Sequence, residues 1–246
     1  MGGGRDGGGW VSHSPHCTRG LTLKLSISCD WTDLPPAISS GLFSGTTVQA
    51  LTAGETLFKA GDKGTGFYRL ETGTLKVILT SPQGEQRIVA LLTPGAMVGD
   101  LSMIDGLPRS ASVVAVTAAE LSYVNRTTFM DCADRHPEIY RYLTSLLANR
   151  LRETDETIAA LAFLTVKGRV ARALLEIAQA LGKDKGSGEI LIEQMISQSE
   201  LAAMAGVARE NVNRVLADWK RRKLVTISHQ NLLIRDMSSL EREMDW

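Results

Sequence analysis

Two stretches of this chain carry side chains whose types and spacing could do chemistry. In the first, Gly95 and Gly99 bracket a short apolar run, Asp100-Leu101-Ser102 opens the next segment, and Arg109-Ser110-Ala111 closes it. A tight turn of small residues presents backbone N–H groups, and a guanidinium beside it completes a seat for an anion such as a phosphate. Arg109 supplies that guanidinium and Ser110 a neighbouring hydroxyl. A surface salt bridge is the plain alternative for Arg109.

The second stretch is residues 196–216, ISQSELAAMAGVARENVNRVL. Ser197 precedes Glu200 by three residues, a capping box that starts a helix. Leu201, Met204 and Ala205 recur at helical spacing, and Gly206 ends that helix where a positive φ costs little. A second helix begins near Ala208 with Val212, Val215 and Leu216 on one side and Arg209, Glu210, Asn213 and Arg214 elsewhere. An Arg can fork onto guanine O6 and N7, and a Glu can accept from cytosine N4. Two helices around a glycine turn, the second so dressed, predict a DNA-reading helix-turn-helix; a solvated amphipathic helix is the bland alternative.

The elements that must position these groups divide the 246 residues into four parts. Residues 1–32, beginning MGGGRDGGGW, bury too little to offset ordering entropy and are expected to be a disordered tail. His13, His16 and Cys17 within it lack partner ligands, so no metal is expected. Residues 33–135 alternate apolar and polar side chains over short runs. Gly54, Gly61, Gly66, Gly73, Gly84 and Gly95 cut them every 5 to 11 residues. That rhythm predicts a small antiparallel barrel or jelly roll. Residues 136–164 place Ile139, Tyr142, Leu143, Leu146, Leu147, Leu151, Ile158, Leu161 and Ala162 at i, i+3, i+4 steps without Pro or Gly after Pro137. So long an apolar face predicts a dimer seam; the alternative is a helix lying on its own domain. Residues 165–246 hold three or four helices and then KLVTISHQNLLIRD, two β-runs around His229-Gln230-Asn231 that predict a hairpin wing. The fold class is α+β.

Formal net charge is zero, with 13 Lys and Arg against 11 Asp and Glu in residues 164–246 and 14 against 16 before them. DNA contact must therefore rely on local placement of charge. Cys17, Cys29 and Cys132 are scattered, which disfavours a disulfide framework and suits a reducing cytoplasm. No apolar run is long enough to span a bilayer, and no signal peptide is read at the N-terminus. Neither a nucleophile–base constellation nor a P-loop is present, so an enzyme is not expected.

Barrel, long helix and winged helix-turn-helix in this order resemble the cyclic-AMP receptor protein/FNR family of bacterial transcription regulators. The resemblance covers residues 35–236. It rests on TLFKAGDKGTGFYRLETG for the early strands and GDLSMIDGLPRSASV for the phosphate-binding cassette. ALAFLTVKGRVARALLEIA for the hinge and residues 196–216 complete it. It implies a cyclic nucleotide effector, cyclic AMP first, held by Gly99, Asp100, Leu101, Arg109, Ser110 and Ala111, with Asp100 accepting from the ribose 2′-OH. Asp100 stands where the family's nucleotide binders usually have Glu, one methylene longer. From the long helix the resemblance adds Arg150 near that acid, Thr154 at the base, and Asp155 where a Ser would reach the same purine across a dimer. On the DNA side it implies Gln198, Ala208, Arg209, Glu210, Asn211, Asn213 and Arg214. Arg209, Glu210 and Arg214 match the base readers of TGTGA-like inverted half-sites. Ala208 replaces a capping Ser, Asn213 a Gly and Gln198 a common Arg. Lys220-Arg221-Arg222-Lys223 can touch phosphate or simply suit a helix C-terminus.

A homodimer through residues 136–164 and a contact with RNA polymerase are further implied. Ligand binding would repack the seam and, through Phe163-Leu164-Thr165-Val166, turn both recognition helices. Three open alternatives remain for the signal: another small effector in the same pocket, a haem held near Cys132 and His136, or control of an enzyme subunit. The winged helix-turn-helix disfavours the last, and three badly spaced cysteines exclude an FNR-type cluster.

Overall fold

The computed structural model describes residues 34–193, 196–228 and 231–244. The expected tail lies outside them, as do His229 and Gln230 of the expected wing turn.

A first helix, α1 (Pro36–Phe43), opens on Pro36, where a missing N–H costs nothing. Eight strands follow: β1 (Thr47–Leu51), β2 (Thr56–Phe58), β3 (Gly66–Thr72), β4 (Leu75–Thr80), β5 (Gln86–Leu92), β6 (Met97–Val98), then after the short helix α2 (Asp100–Asp105), β7 (Ser112–Ala115) and β8 (Ala119–Asn125). They form two four-stranded antiparallel sheets, ordered β1-β8-β3-β6 and β2-β7-β4-β5. Period-two alternation sends Leu51, Leu70, Leu75, Leu92, Val113 and Leu121 into the space between them. At about 1.5–3 kcal/mol for each fully buried side chain, this layer closes the roll.

Two helices leave the roll, α3 (Arg126–Arg135) and the 25-residue α4 (Ile139–Phe163). The first part of α4 lies on its own domain: Ile139, Leu143 and Leu146 are buried with Ile38 and Leu42 of α1, Phe67 of β3 and Phe129 of α3. Further along, Leu151, Ile158, Leu161 and Phe163 are 63, 59, 51 and 67 % exposed. The first part of the apolar stripe thus lies on its own domain, and the rest stands exposed.

Beyond Leu164 come α5 (Val166–Leu181), β9 (Gly182–Gly186), β10 (Glu189–Ile192), α6 (Gln198–Ala205), α7 (Arg209–Arg221), β11 (Val225–Ser228), β12 (Asn231–Ile234) and α8 (Met237–Arg242). Strands β11-β12-β10-β9 make one antiparallel sheet beside the helices. The β9–β10 hairpin is absent from the sequence reading, although Gly186-Ser187-Gly188 between short runs marks its turn. The core of this domain joins Val170, Leu174, Leu201, Ala205, Val212, Leu216 and Trp219.

Ile78 of β4 and Ile88 and Leu91 of β5 belong to that same core. The winged-helix domain is docked on the outer face of the β4–β5 hairpin. Lys76 Nζ of β4 reaches Glu200 Oε1 of α6 at 2.5 Å, and the Leu161 side chain of α4 lies against the Gly206 turn.

Candidate functional site

The turn from β6 into α2, the segment ending at Arg109-Ser110-Ala111 and the middle of α4 meet around one cavity of about 390 Å³, whose lining also draws on β4, β5 and α5. A volume of this size suits a small organic ligand. Gly99 adopts φ +84, the left-handed region that glycine alone enters without strain, and so turns β6 sharply into α2. A Cβ there would stand 2.3 Å from Arg109 Nη1. The absence of a side chain lets the guanidinium lie on the turn, where Nη1 donates to the Gly99 carbonyl at 2.6 Å. Arg109 is 6 % exposed, and its guanidinium stacks 4.4 Å from the centre of the Phe58 ring. Burial pushes its pKa down, while the nearby Tyr68, Tyr123, Asp100 and Asp62 oppose that. A buried cation facing a cavity is chemically prepared for an anion.

Asp100, 2 % exposed, opens α2. Both its oxygens accept from Arg150 Nη1 at 3.0 Å, and Arg150 Nη2 also reaches the Met97 carbonyl at 3.4 Å. The shorter acid is thus met by the arginine of α4. A carboxylate has about four lone-pair sites, so a ligand hydroxyl can donate to Asp100 with the ion pair intact. Gly99, Leu101, Ser110, Ala111 and Thr154 line the same cavity. The Thr154 hydroxyl donates to the Arg150 carbonyl one turn back at 2.9 Å. Asp155 is exposed and stands outside this wall. Cys132 and His136 do not line it either. Cys132 is 2 % exposed in the core beneath α3 and α4, where burial pushes its thiol up.

Several contributors escaped the sequence reading. Gly64 faces the cassette so closely that a Cβ would meet Ser102 Cβ at 2.2 Å; the Lys63-Gly64-Thr65-Gly66 run ahead of a strand was its only signal. Phe58 under Arg109, and Arg172 and Glu176 of α5 in the cavity wall, come from distant parts of the chain.

The DNA side follows the local signals closely. The Ser197 hydroxyl accepts from the Glu200 amide at 3.2 Å, and Glu200 Oε2 accepts from the Ser197 amide at 3.0 Å, closing the capping box. Gly206 takes φ +66. Ala208 is the N-cap of α7 and makes no side-chain cap bond, as its methyl dictates. Val212 and Leu216 face the core, with Val215 half-buried, while Arg209, Glu210, Asn213 and Arg214 are exposed on one helix. Asn211 and Gln198 are half-buried beside them. Arg221 pairs with Asp218 at 2.5 Å and Arg222 with Glu243 at 2.5 Å, a network that ties the end of α7 to α8. Lys220 and Lys223 remain exposed.

A roll with a cassette cavity joined by a long helix to a winged helix-turn-helix defines a DNA-binding transcription regulator with an effector domain. The cyclic nucleotide-binding domain family matches residues 48–136, and the Crp-like helix-turn-helix domain family matches residues 168–243. The chain is 32 % identical over 215 residues to the CRP-like cAMP-activated global transcriptional regulator of Mycobacterium tuberculosis, covering 82 % of this chain and 96 % of that one. It is 35 % identical over 188 residues to the cyclic AMP receptor protein of Thermus thermophilus, covering 76 % and 83 %. Among solved structures, a CRP-family transcriptional regulator of Thermus thermophilus superposes with a TM-score of 0.68 at 26 % identity, covering 80 % and 96 %. The chain belongs to the cyclic-AMP receptor protein/FNR family of transcription regulators. Its relatives are DNA-binding regulators, not enzymes.

Proposed function

We propose that the protein is a cyclic-AMP-responsive regulator that reads TGTGA-like inverted repeats as a homodimer. The division into a tail (1–32), a nucleotide-binding roll (33–135), a dimerisation helix (136–164) and a DNA-binding domain (165–246) belongs to this reading. The observation that carries it is Arg109, a buried guanidinium bonded to a left-handed glycine turn at a cavity that the Arg150–Asp100 pair also lines. A cyclic phosphate seats on Arg109, Ser110 and the backbone of Ala111, over Gly99 and Leu101. The ribose hydroxyl donates to Asp100, and the base extends toward Thr154. Asp155 faces the base of the partner subunit's ligand, where a carboxylate accepts from the exocyclic amine of adenine and repels the O6 of guanine. The mycobacterial and Thermus relatives, both named for cyclic AMP, support the choice of nucleotide.

The uncovered apolar face of Leu151, Ile158 and Leu161 supports the dimer seam. A two-fold dimer places its recognition helices one helical turn apart, about 34–36 Å. Arg209, Glu210 and Arg214 read the bases, with Asn211 and Asn213 beside them, and Gln198 and the backbone at Ala208 meet phosphate. Contact with RNA polymerase is carried over from the family.

Calorimetric titration of the full chain with cyclic AMP and cyclic GMP, repeated on Arg109→Ala, tests the effector. Heat from cyclic AMP that Arg109→Ala abolishes is the expected result. Absence of heat from both nucleotides overturns the reading and leaves another small effector in the same cavity.

A further inference from the structure

The cavity does not end at the roll and α4. Arg172 and Glu176, one turn apart on α5, line it as well, although α5 belongs to the DNA-binding domain. The docking of that domain on β4–β5 brings them there. Arg172 is committed in three directions: Nε to Glu176 Oε1 at 3.0 Å, Nη1 to the Glu156 carbonyl at 3.0 Å, and Nη2 to Thr157 Oγ1 at 3.1 Å. Both α4 partners also line the cavity, two and three residues beyond Thr154. Thr157 in turn donates to the Glu153 carbonyl at 2.9 Å, so Arg172 grips the stretch of α4 that a ligand's base would touch. Glu176 is half-buried; burial pushes its carboxyl up, and Arg172 opposes that in part.

We propose that Arg172 and Glu176 form a DNA-domain wall of the effector site, and that Arg172 reports occupancy to the winged helix by its grip on Glu156 and Thr157. This inference rests on the nucleotide reading above. A guanidinium is a planar fork with donors in fixed directions, so a small movement of α4 costs it two bonds together. Ligand binding that moves Thr154 and Thr157 against α5 therefore changes the stability of the docked arrangement within a single protomer. The differential contact between docked and undocked states is the coupling free energy. Arg172 is a positioning residue here: it acts on DNA binding through the placement of α5 and α6, with Lys76–Glu200 holding the other edge of the dock.

The test uses the full chain, Arg172→Ala/Glu176→Gln, which leaves no stranded buried carboxylate, and Arg172→Lys, which keeps the charge but not the fork. Cyclic AMP affinity is measured by calorimetry. DNA affinity, with and without cyclic AMP, is measured on a duplex selected by the wild type from a random pool. In the wild type, cyclic AMP changes DNA affinity by about 5–150-fold; in both variants, whose weaker hold on cyclic AMP is met by raising its concentration to saturation as judged by calorimetry, that ratio falls to about 2-fold or less. A purely structural role would shift DNA affinity equally in both conditions and keep the ratio. An unchanged ratio in either folded variant with cyclic AMP bound overturns this inference alone. A wild type that takes up no cyclic AMP overturns the nucleotide reading and this inference with it.

Discussion

Replacing Gly99 with alanine separates backbone strain from the placement of Arg109, because the same fold contains a control. Gly99 and Gly106 flank α2 with φ +84 and +71, so alanine at either meets the left-handed penalty of about 1–2 kcal/mol. Part of that is offset by roughly 0.4–1 kcal/mol through the stiffer unfolded chain. A Cβ at Gly106 meets open space, whereas at Gly99 it stands 2.3 Å from Arg109 Nη1 and 3.0 Å from Cζ. The guanidinium must move, and its bond to the Gly99 carbonyl goes with it. A hydrogen bond to a charged group is worth about 1.5–3 kcal/mol. Gly106→Ala should therefore lose about 1 kcal/mol, and Gly99→Ala about 2–4 kcal/mol. In thermal melts, a chain of this size should drop by roughly 2–4 °C for the first and 4–16 °C for the second. Nucleotide titration adds an independent readout, since only Gly99→Ala displaces Arg109, the guanidinium proposed above to seat the phosphate. Equal melting losses with equal nucleotide affinity would show that the close approach of Gly99 and Arg109 does not matter.

Four other outcomes can be checked. Arg150→Ala leaves the Asp100 carboxylate, 3 % exposed in its side chain, without its cation and should cost about 3–5 kcal/mol in urea unfolding; adding Asp100→Asn should recover most of it. Burial alone would raise the Glu200 carboxyl, but Lys76 and the Ser197 hydroxyl and amide hold it below the ordinary value. A depressed carboxylate contributes above its unfolded pKa, about 4.3, and that contribution is lost as pH falls through the folded value. Lys76→Ala should thus lower the unfolding free energy at pH 7 by roughly 0.5–1 kcal/mol after discounting for solvent screening, and the difference should close below about pH 4. Leu151→Glu and Ile158→Glu, at positions 63 and 59 % exposed, should change monomer stability by no more than about 0.5 kcal/mol yet shift sedimentation from dimer to monomer. Arg209→Ala should cost about 1–3 kcal/mol in operator binding and relax preference at one base, read by a shift assay against single-base variants.

What was legible in the sequence is what short-range chemistry decides. Ser197 and Glu200 are three residues apart, Gly206 needs no partner to take a positive φ, and Ala208 cannot cap whatever surrounds it; all three behave as their types require. The cassette was legible for the same reason, since Gly99 and Arg109 lie ten residues apart and meet across one short helix. Contacts that depend on the path of the whole chain left no such mark. Phe58 reaches Arg109 only because β2 pairs with β7, and Gly64 reaches Ser102 only because the loop before β3 folds over α2. Lys76 and Glu200 are separated by 124 residues, and neither looks unusual on its own strand or helix. Strict alternation would send Ile88 and Leu91 of β5 to opposite faces; the bulge where Val77↔Ala90 gives way to Ile78↔Ile88 brings both to one face with Ile78, and no local signal marks it.

The long helix removes the need for a distant relay between effector and DNA. Thr154 and Thr157 line the cavity, Ile158 and Leu161 belong to the uncovered apolar face, and the Leu161 side chain lies against the Gly206 turn. All four fall within two turns of α4, about 10 Å at 1.5 Å per residue. A rigid helix of that length cannot move its cavity face and leave its exposed apolar face still. The cavity wall, the exposed apolar face and the base of the helix-turn-helix therefore share one mechanical element, so a substitution on that face such as Ile158→Glu should alter effector affinity as well as the proposed assembly.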